Sequence, residues 1–294
     1  MDADLNTKEY AASIQAARKT RWLGWPLHYF PSATSTNDIL ADLAQAGEQA
    51  GAMVVTDYQS KGRGRLGRRW IAPARTSLLI SLLFRPSWPA ERAAWLTMLA
   101  GLSALEAIES CTGLRPRLKW PNDLLLRSGE QWLKCGGILL EGQMANGRWE
   151  AAIVGIGINV NIKPKDIPPA RLPATSLLKE SGHIVSRARL LGEILTSLEK
   201  RYEAAEQGHS PHQAWERELM TLGKQVVLNR QANTDRQVNA DWQVAEPKVA
   251  TPQPLIGIAV RTDEWGRLII LDRSGREHAV SAGDVTLLVD NSGD

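Results

Sequence analysis

Residues 62–70 read Gly62-Arg63-Gly64-Arg65-Leu66-Gly67-Arg68-Arg69-Trp70, so nine positions hold three glycines, four arginines and a terminal tryptophan. Glycine loses much conformational entropy on folding, and a glycine cluster therefore indicates backbone that bends unusually or closely approaches a ligand. Arginine adds a permanent charge on a planar group that suits phosphate and carboxylate. The stretch predicts a cationic loop that closes over a small anionic ligand.

The composition around this loop is that of an ordinary soluble globular protein. The 294 residues are 43% hydrophobic and 23% charged, which allows one large domain and a small one. The net charge of +3 is too small for whole-protein nucleic-acid binding, so any cationic role is local. Cys111 and Cys135 lack metal-ligand spacing, and the acidic start does not resemble a signal peptide. We expect a reducing, cytoplasmic location and no membrane partner.

Hydrophobic patterning places strands and helices on both sides of the loop. A buried strand is predicted at Ser77–Phe84 because eight residues in a row are mostly apolar, and Arg92–Ser110 has the pattern of an amphipathic helix. Further helices are predicted at Asn37–Ala46, Arg187–Gln207 (capped by Ser186) and Pro211–Met220, and further strands at Leu27–Phe30, Ala52–Asp57, Asp123–Leu126, Lys134–Glu141 and Trp149–Ile158.

The two ends of the chain differ in predicted structure from the alternating helices and strands of the middle part. Residues 1–26 predict a polar helical leader, too short for a helix-turn-helix DNA-binding module. After residue 222, five short β-like runs predict a small β-barrel: Gln225–Leu228, Ile256–Val260, Leu268–Leu271, Glu277–Val280 and Val285–Leu288. Residues 230–254 are polar and lack a clear period, so we expect a protruding surface insertion.

A second polar motif, Lys119-Trp120-Pro121-Asn122-Asp123, presents an amide beside a carboxylate. Pro121 fixes its own φ and ends regular strand pairing, so the next two side chains sit at a defined turn. Such a pair can read a purine edge, or hold a cation or an incoming amine. A plain turn between two strands explains these five residues equally well.

Two glycine-containing strands carry the third and fourth motifs, Lys134-Cys135-Gly136-Gly137-Ile138-Leu139 and Gly155-Ile156-Gly157-Ile158-Asn159. Positions without side chains let a flat ligand lie against backbone, and a lysine at the mouth can reach its carboxylate or a phosphate. The alternatives are a surface lysine before a β-bulge and an edge strand that ends in an asparagine turn. We expect Cys135 to point to the other face as a bystander.

The fifth motif is Ser35-Thr36-Asn37, and helix capping accounts for it fully. In a functional interpretation, the Ser35 and Thr36 hydroxyls donate hydrogen bonds to a urea-like or amide carbonyl of a ligand. Gln59 then supplies a further hydrogen-bonding group for the same ligand.

Together and in this order, the five motifs resemble the biotin–protein ligases (biotin–[carboxyl carrier protein] ligases), from about Leu27 to Leu288. The resemblance implies an ATP-dependent ligase that activates biotin as biotinyl-5′-AMP and transfers it to a lysine of a biotin carboxyl carrier protein. It implies an α+β fold in which a mixed sheet flanked by helices, like the class II tRNA synthetase core, is followed by an SH3-like barrel. The corresponding divisions are a leader at 1–26, a catalytic domain at 27–222 and the barrel at 223–294.

The resemblance also implies roles for individual positions. Lys134, Arg65 and Asp123 match catalytic residues, with Asp123 orienting the acceptor lysine. The ATP and adenylate site matches Arg65, Arg68, Trp70 (an aromatic wall near adenine), Lys119, Asn122 and Asn159, and Mg²⁺ is expected mainly on the ATP phosphates. The biotin site matches Ser35, Thr36, Asn37, Gln59, Gly62, Arg63, Gly64, Arg65, Lys134, Gly136, Gly137, Gly155 and Gly157.

Two competing functions stay open at this point. A lipoate or octanoate ligase would share the catalytic fold and the acceptor chemistry. A nucleic-acid-binding module could use the arginine loop and the small barrel, since arginine and aromatic side chains bind single strands. That function would leave the glycine and asparagine motifs unexplained, and we expect no specific DNA partner. The sequence also leaves open whether the protein forms a homodimer.

Overall fold

The computed structural model describes residues 7–145, 148–168, 173–229 and 254–288. The helices are α1 (Thr7–Ala17), α2 (Thr36–Gln45), α3 (Ala94–Thr112), α4 (Leu177–Ser181), α5 (Arg187–Glu206) and α6 (His212–Arg217). The first sheet contains β1 (Leu27–Phe30), β2 (Met53–Thr56), β3 (Ser77–Phe84), β4 (Arg117–Lys119), β5 (Asp123–Ser128), β6 (Gln131–Ala145) and β7 (Arg148–Asn159). The second contains β8 (Gln225–Asn229), β9 (Leu255–Thr262), β10 (Leu268–Asp272), β11 (Glu277–Val280) and β12 (Asp284–Leu287).

The seven-stranded sheet has the order β1-β2-β3-β7-β6-β5-β4. Strands β1 and β2 run parallel, and every other neighbouring pair is antiparallel. The sheet is therefore mixed, and helices pack on both of its faces. This confirms the α+β architecture predicted from the sequence.

The two faces of the sheet bury two different sets of side chains. In β2, Met53 and Val55 join the large core beneath α1, α3 and α5, whereas Val54 packs with Leu40 of α2 on the opposite face. This follows from the alternation of side chains along a strand. Helix α2 covers only part of its face, and the uncovered part forms the floor of a cavity.

Helix α3 differs from its predicted amphipathic character. The predicted apolar side, Trp95 to Ile108, is buried, but so are Ala100, Ala104 and Ala107. The reason is that α3 packs against β6 and β7 of the sheet and also against the neighbouring helices α5 and α6. A one-sided apolar stripe is expected only for a helix with one face in solvent.

The second sheet is entirely antiparallel and has the order β11-β10-β9-β8-β12. Its five strands match the five predicted runs within a few residues. Trp120 joins it to the first sheet, because its indole Nε1 donates to the carbonyl of Gly266 over 2.9 Å. Most of the predicted insertion, residues 230–253, lies outside the described residues.

Smaller differences concern the ends of elements. Helix α6 is shorter than the predicted Pro211–Met220, and neither α4 nor β4 is predicted by the sequence patterns. No helix in the described part of the chain combines the length and apolar character needed to cross a bilayer.

Candidate functional site

A cavity of about 600 Å³ lies on the uncovered part of the sheet face that carries α2. Small-molecule sites have volumes of roughly 300–1,000 Å³. Nearly all the residues that the sequence motifs predicted line it: Ser35, Thr36, Asn37, Gln59, Arg63, Gly64, Arg65, Arg68, Trp70, Lys119, Asn122, Asp123, Lys134, Gly137, Gly155, Gly157 and Asn159. Of the predicted residues, Gly62 and Gly136 are not part of this lining.

Strand register brings the separate motifs together on one face. Gly157 of β7 pairs with Leu79 of β3 and with Gly137 of β6, and Gly137 pairs with Asp123 of β5. The adjacent row joins Gly155 to Ser81 and Leu139. Because paired residues point to the same face of a sheet, two glycine motifs far apart in sequence form one continuous floor.

The glycines of this floor accommodate neighbours within the protein. A Cβ added to Gly157 would lie 2.9 Å from the indole of Trp70, and one added to Gly155 would collide with the amide of Asn37. Gly136 differs, because its Cβ would meet Leu124 at 2.8 Å. The prediction that Gly136 belongs to the floor under biotin is therefore wrong. Successive residues of a strand face opposite ways, so Gly136 points away from the cavity that Gly137 faces.

A β-bulge explains how Lys134 reaches the cavity. In the β5–β6 pairing Leu124 faces Gly136 and Leu125 faces Lys134, so the register skips Cys135. The extra residue brings Lys134 onto the same face as Gly137. Its Nζ donates to Oδ1 of Asp123 over 2.5 Å. The sequence left a lysine at the mouth of a ligand site and a surface lysine before a β-bulge as alternatives, and the structure shows that Lys134 both lines the cavity and precedes a bulge.

Asp123 and Cys135 have distinct environments beside this lysine. The carboxylate of Asp123, predicted to orient an incoming amine, is already paired with Lys134, and the Asp123 side chain is only 13% exposed. Cys135 is fully buried, and burial raises the pKa of its thiol to about 12. It lies among core residues, as expected for a bystander.

One end of the cavity is lined by uncharged polar groups. Ser35 occupies the N-cap position of α2, but its side chain makes no capping hydrogen bond, so capping does not account for that hydroxyl. Oε1 of Gln59 instead accepts from the backbone N–H of Thr36 over 2.8 Å and lies 3.2 Å from the Thr36 hydroxyl. The buried hydroxyl of Ser81 lies 2.7 Å from that of Thr36. This end offers donors and acceptors without net charge.

Carboxylates behind this end hold the first arginine of the loop. Arg63 pairs with Asp38 and, over 2.8 Å, with Glu141. Partial burial opposes the charge of Arg63, but hydrogen bonds to these two carboxylates outweigh it and raise the pKa of the guanidinium. Sequence reasoning missed Asp38, Glu141 and Ser81, because none belongs to a glycine or arginine motif.

The opposite end of the cavity is cationic. Arg68 pairs with Asp284 of the second sheet, a lining residue that sequence reasoning also missed. Lys119 is 7% exposed, and burial lowers the pKa of its ammonium, although nearby Asp123 and Asp284 counteract this. Such a set of cations suits a ligand with several negative charges.

Two asparagines complete this end. Asn122 donates from Nδ2 to the carbonyl of Ile138 over 2.5 Å and accepts from Arg65 over 3.4 Å. Asn159 donates to the carbonyl of Thr175 over 3.0 Å. Across the described ranges, no group of three or more His, Cys, Asp or Glu side chains is arranged to hold a metal ion.

The arginine loop folds over the cavity as a closed turn. Trp70 N–H donates to the carbonyl of Gly62 over 2.9 Å, and Gly64 N–H donates to that of Arg68 over 2.7 Å. Leu66 and Gly67 at its tip have φ of 57° and 69°. The positive φ at position 67 is one that glycine adopts without a steric penalty.

Comparisons with known proteins agree with this geometry. Residues 29–159 match the model of the biotin/lipoate A/B protein ligase family. The biotin--[acetyl-CoA-carboxylase] ligase of Mycobacterium tuberculosis is 32% identical over 274 residues, which cover 90% of each chain. The bifunctional ligase/repressor BirA of Bacillus subtilis is 36% identical over 192 residues, and there the chain spans only 58% of the relative's length.

A solved structure supports the same assignment. The biotin protein ligase of Aquifex aeolicus, in complex with biotin and ATP, superposes with a TM-score of 0.67 and 26% identity. The match covers 89% of this chain and 98% of the other. With the five motifs gathered on one sheet face, and with a relative matched over nine-tenths of both chains, this chain belongs to the biotin protein ligases of the biotin/lipoate A/B protein ligase family.

Proposed function

We propose that this protein activates biotin with ATP to biotinyl-5′-AMP and then transfers the biotinyl group to a lysine of a biotin carboxyl carrier protein. The observation that carries this proposal is the arrangement of the cavity. An uncharged, hydroxyl-lined end and a cationic end meet at the Lys134–Asp123 pair. A neutral ring and a polyanion therefore each find a complementary surface, with a lysine where they join.

Biotin lies at the uncharged end in this proposal. Ser35, Thr36, Asn37 and Gln59 surround the ureido group, with the loop backbone at Arg63 and Gly64. The bicyclic ring lies over Gly137, beside the Asn37 amide and the Trp70 indole that rest on Gly155 and Gly157, and its carboxylate points to Lys134. The indole of Trp70 lies against Gly157, with its ring centroid 5.9 Å from Nζ of Lys134, and we propose it as the wall that separates the biotin ring from adenine.

ATP lies at the cationic end. Arg65, Arg68 and Lys119 face the phosphates, Asn159 lies near the phosphates or their metal, and Asn122 lies near adenine. Mg²⁺ arrives on the ATP phosphates and neutralises part of their charge. The second sheet contributes through Asp284, which holds Arg68 at this end.

The first step needs no base, because a carboxylate is ionised at neutral pH. The biotin carboxylate attacks the α-phosphorus, a new O–P bond forms, and pyrophosphate leaves. The main barrier is the approach of two anions. Fixed cations at Lys134, Arg65 and Arg68 offset this repulsion without reorganising during the reaction.

In the second step, a lysine amine of the carrier protein attacks the carbonyl of the mixed anhydride, and AMP leaves. A lysine is mostly protonated at neutral pH, since its usual pKa is about 10.4. Asp123 can orient the incoming ammonium and accept its proton, provided that Lys134 then stays with the phosphate.

The finer architecture is part of the same proposal. We propose that residues 27–222 act as the catalytic domain, that the second sheet and its flanking residues at 223–294 form an SH3-like barrel, and that residues 1–26 are a leader. The core resembles that of class II tRNA synthetases in this assignment. The unpaired thiols Cys111 and Cys135 fit a reducing compartment, and we propose the cytoplasm.

Mass spectrometry after incubation with Mg²⁺ and ATP tests the function. With biotin, we expect a retained adenylate of biotin and, once carrier protein is added, a biotinylated lysine. A parallel incubation with lipoate should give neither product. An adenylate of lipoate but none of biotin would overturn the proposal.

Replacing Lys119 by methionine should stabilise the fold and weaken ATP binding. The fold lowers the pKa of Lys119 mainly by burial, so its charge costs stability at neutral pH. This cost disappears as pH rises to the usual lysine value of about 10.4, where the unfolded chain also loses its proton. We expect a higher urea midpoint at neutral pH, a gain that shrinks in alkali, and a KM for ATP raised about tenfold or more.

Lys200→Met is the matched control, because Lys200 is exposed on α5, on the other face of the sheet. It should change neither the urea midpoint nor the KM. An unchanged KM for ATP in Lys119→Met would contradict the assignment of Lys119 to the phosphates.

A further inference from the structure

Glu141 lies outside the reaction cavity but contacts two residues that line it. It sits on β6, two positions beyond Leu139 and therefore on the same face, but it lines a smaller cavity of about 160 Å³ behind α2. Its carboxylate accepts from Nδ2 of Asn37 over 2.6 Å and from Arg63 over 2.8 Å. One side chain thus joins the start of α2 to the arginine loop.

These contacts determine how the amide of Asn37 is oriented. Its Nδ2 donates to Glu141, and its Oδ1 accepts from the buried hydroxyl of Ser81 over 2.5 Å. The amide lies against Gly155, where no Cβ would fit. Without the carboxylate of Glu141, Nδ2 of Asn37 would lose its charged acceptor, and the amide could rotate so that its oxygen and nitrogen exchange places.

The same carboxylate also holds Arg63, the first arginine of the loop, in place. Arg63 also pairs with Asp38, but the Asp38 side chain is 44% exposed whereas that of Glu141 is 14% exposed. Solvent screens the more exposed pair, so Glu141 contributes more to holding Arg63. The backbone of Arg63 continues into Gly64 and Arg65 at the mouth of the cavity.

We propose that Glu141 is a positioning residue for biotin: through Asn37 and Arg63 it sets the shape of the ureido-binding end and fastens the arginine loop to it. The proposal rests on the proposed function, since it assigns a task to a residue behind the biotin site. It makes no such claim for the ATP end, because Arg65 and Arg68 of the same loop have contacts of their own, with Asn122 and Asp284.

Glu141→Gln tests the proposal, because both donors contact the same oxygen, Oε2, and glutamine keeps the size and an acceptor oxygen but removes the negative charge that strengthens both hydrogen bonds. Loss of a charge-assisted hydrogen bond should weaken biotin binding by about tenfold or more. The KM for ATP should stay unchanged within error, a separation that a general loss of folding would not produce. Binding is measured by calorimetry with biotin alone, and the melting temperature is recorded for each variant.

Two controls accompany this variant. Glu150→Gln removes an exposed carboxylate from β7 and should leave biotin binding unchanged. Asp38→Asn should have a smaller effect than Glu141→Gln, because its pair is more exposed. If Glu141→Gln does not fold, Glu141→Asp retains the charge at a shorter reach and should still weaken biotin selectively.

The outcomes separate the two proposals. Wild-type affinity for biotin in a folded Glu141→Gln or Glu141→Asp protein would overturn the role of Glu141, as would equal weakening of biotin and ATP. Failure of the wild-type protein itself to bind biotin would instead overturn the proposed function.

Discussion

Replacing Lys134 by alanine is expected to lower biotin-dependent ATP–pyrophosphate exchange by about 10²–10³, the usual effect of losing one preorganised group that stabilises developing charge. Lys134 lies where the two ends of the cavity meet, and its ammonium is 2.5 Å from the carboxylate of Asp123. The variant therefore removes a cation and also leaves that carboxylate unneutralised beside the reacting anions. Both effects raise the barrier to bringing carboxylate and phosphate together.

The second effect can be measured separately. In Lys134→Ala combined with Asp123→Asn, the uncompensated negative charge is gone, and we expect part of the lost exchange activity to return. Lys200→Ala, an exposed lysine on α5, should leave exchange unchanged. Near-normal exchange in a folded Lys134→Ala protein would refute the role given to this lysine.

Replacing Asp57 by alanine is expected to destabilise the fold by about 3–5 kcal/mol, the usual cost of leaving one partner of a buried ion pair alone. Oδ1 of Asp57 lies 2.8 Å from Arg187, whose side chain is 1% exposed and stacks on the ring of Tyr10. Oδ2 accepts from the hydroxyl of Tyr29 over 2.6 Å. Burial, together with this bond, raises the pKa of Tyr29, so the tyrosine stays a neutral donor.

The expected loss would appear as a lower urea midpoint at constant slope. Asp57→Ala with Arg187→Met removes both charges and should recover much of the stability. Glu277→Ala breaks an exposed pair with Arg261 and should cost at most about 1 kcal/mol. A change in Asp57→Ala no larger than that in Glu277→Ala would show that the buried pair is not stabilising.

This ion pair also bears on the site. Besides Arg187, the carboxylate of Asp57 pairs with Nε of Arg75 over 3.5 Å, across the base of the segment that carries the arginine loop. In any Asp57→Ala protein that folds, we expect the loop to be held less firmly at this base.

Strands whose two faces are both buried were predicted well. Strand β3 has the predicted bounds, Ser77–Phe84, because a mostly apolar run of eight residues fits a strand that is buried on both faces. Helix α5 begins as predicted after Ser186, whose side chain accepts from the backbone N–H of Arg189. Local chemistry alone decides such features.

Errors arose where a distant neighbour decides the role of a residue. Ser35 has the right type and place for a cap, yet Gln59 takes the bond to the helix start. Gly136 has the right composition for a floor, yet pairing with the distant strands β5 and β7 turns the adjacent Gly137, and not Gly136, to the cavity. No pattern within either motif reports these outcomes.

The sequence by itself determined the kinds of groups that the site contains, their order and the type of each long element, because residue chemistry and hydrophobic period are local properties. Only the tertiary structure decided which of these groups meet. Register across β3, β7, β6 and β5 aligned Leu79, Gly157, Gly137 and Asp123, and one bulge turned Lys134 into the cavity. A shift of one residue in that register would send the same side chains to the opposite face, so pairing between distant strands creates the site from residues that the chain keeps apart.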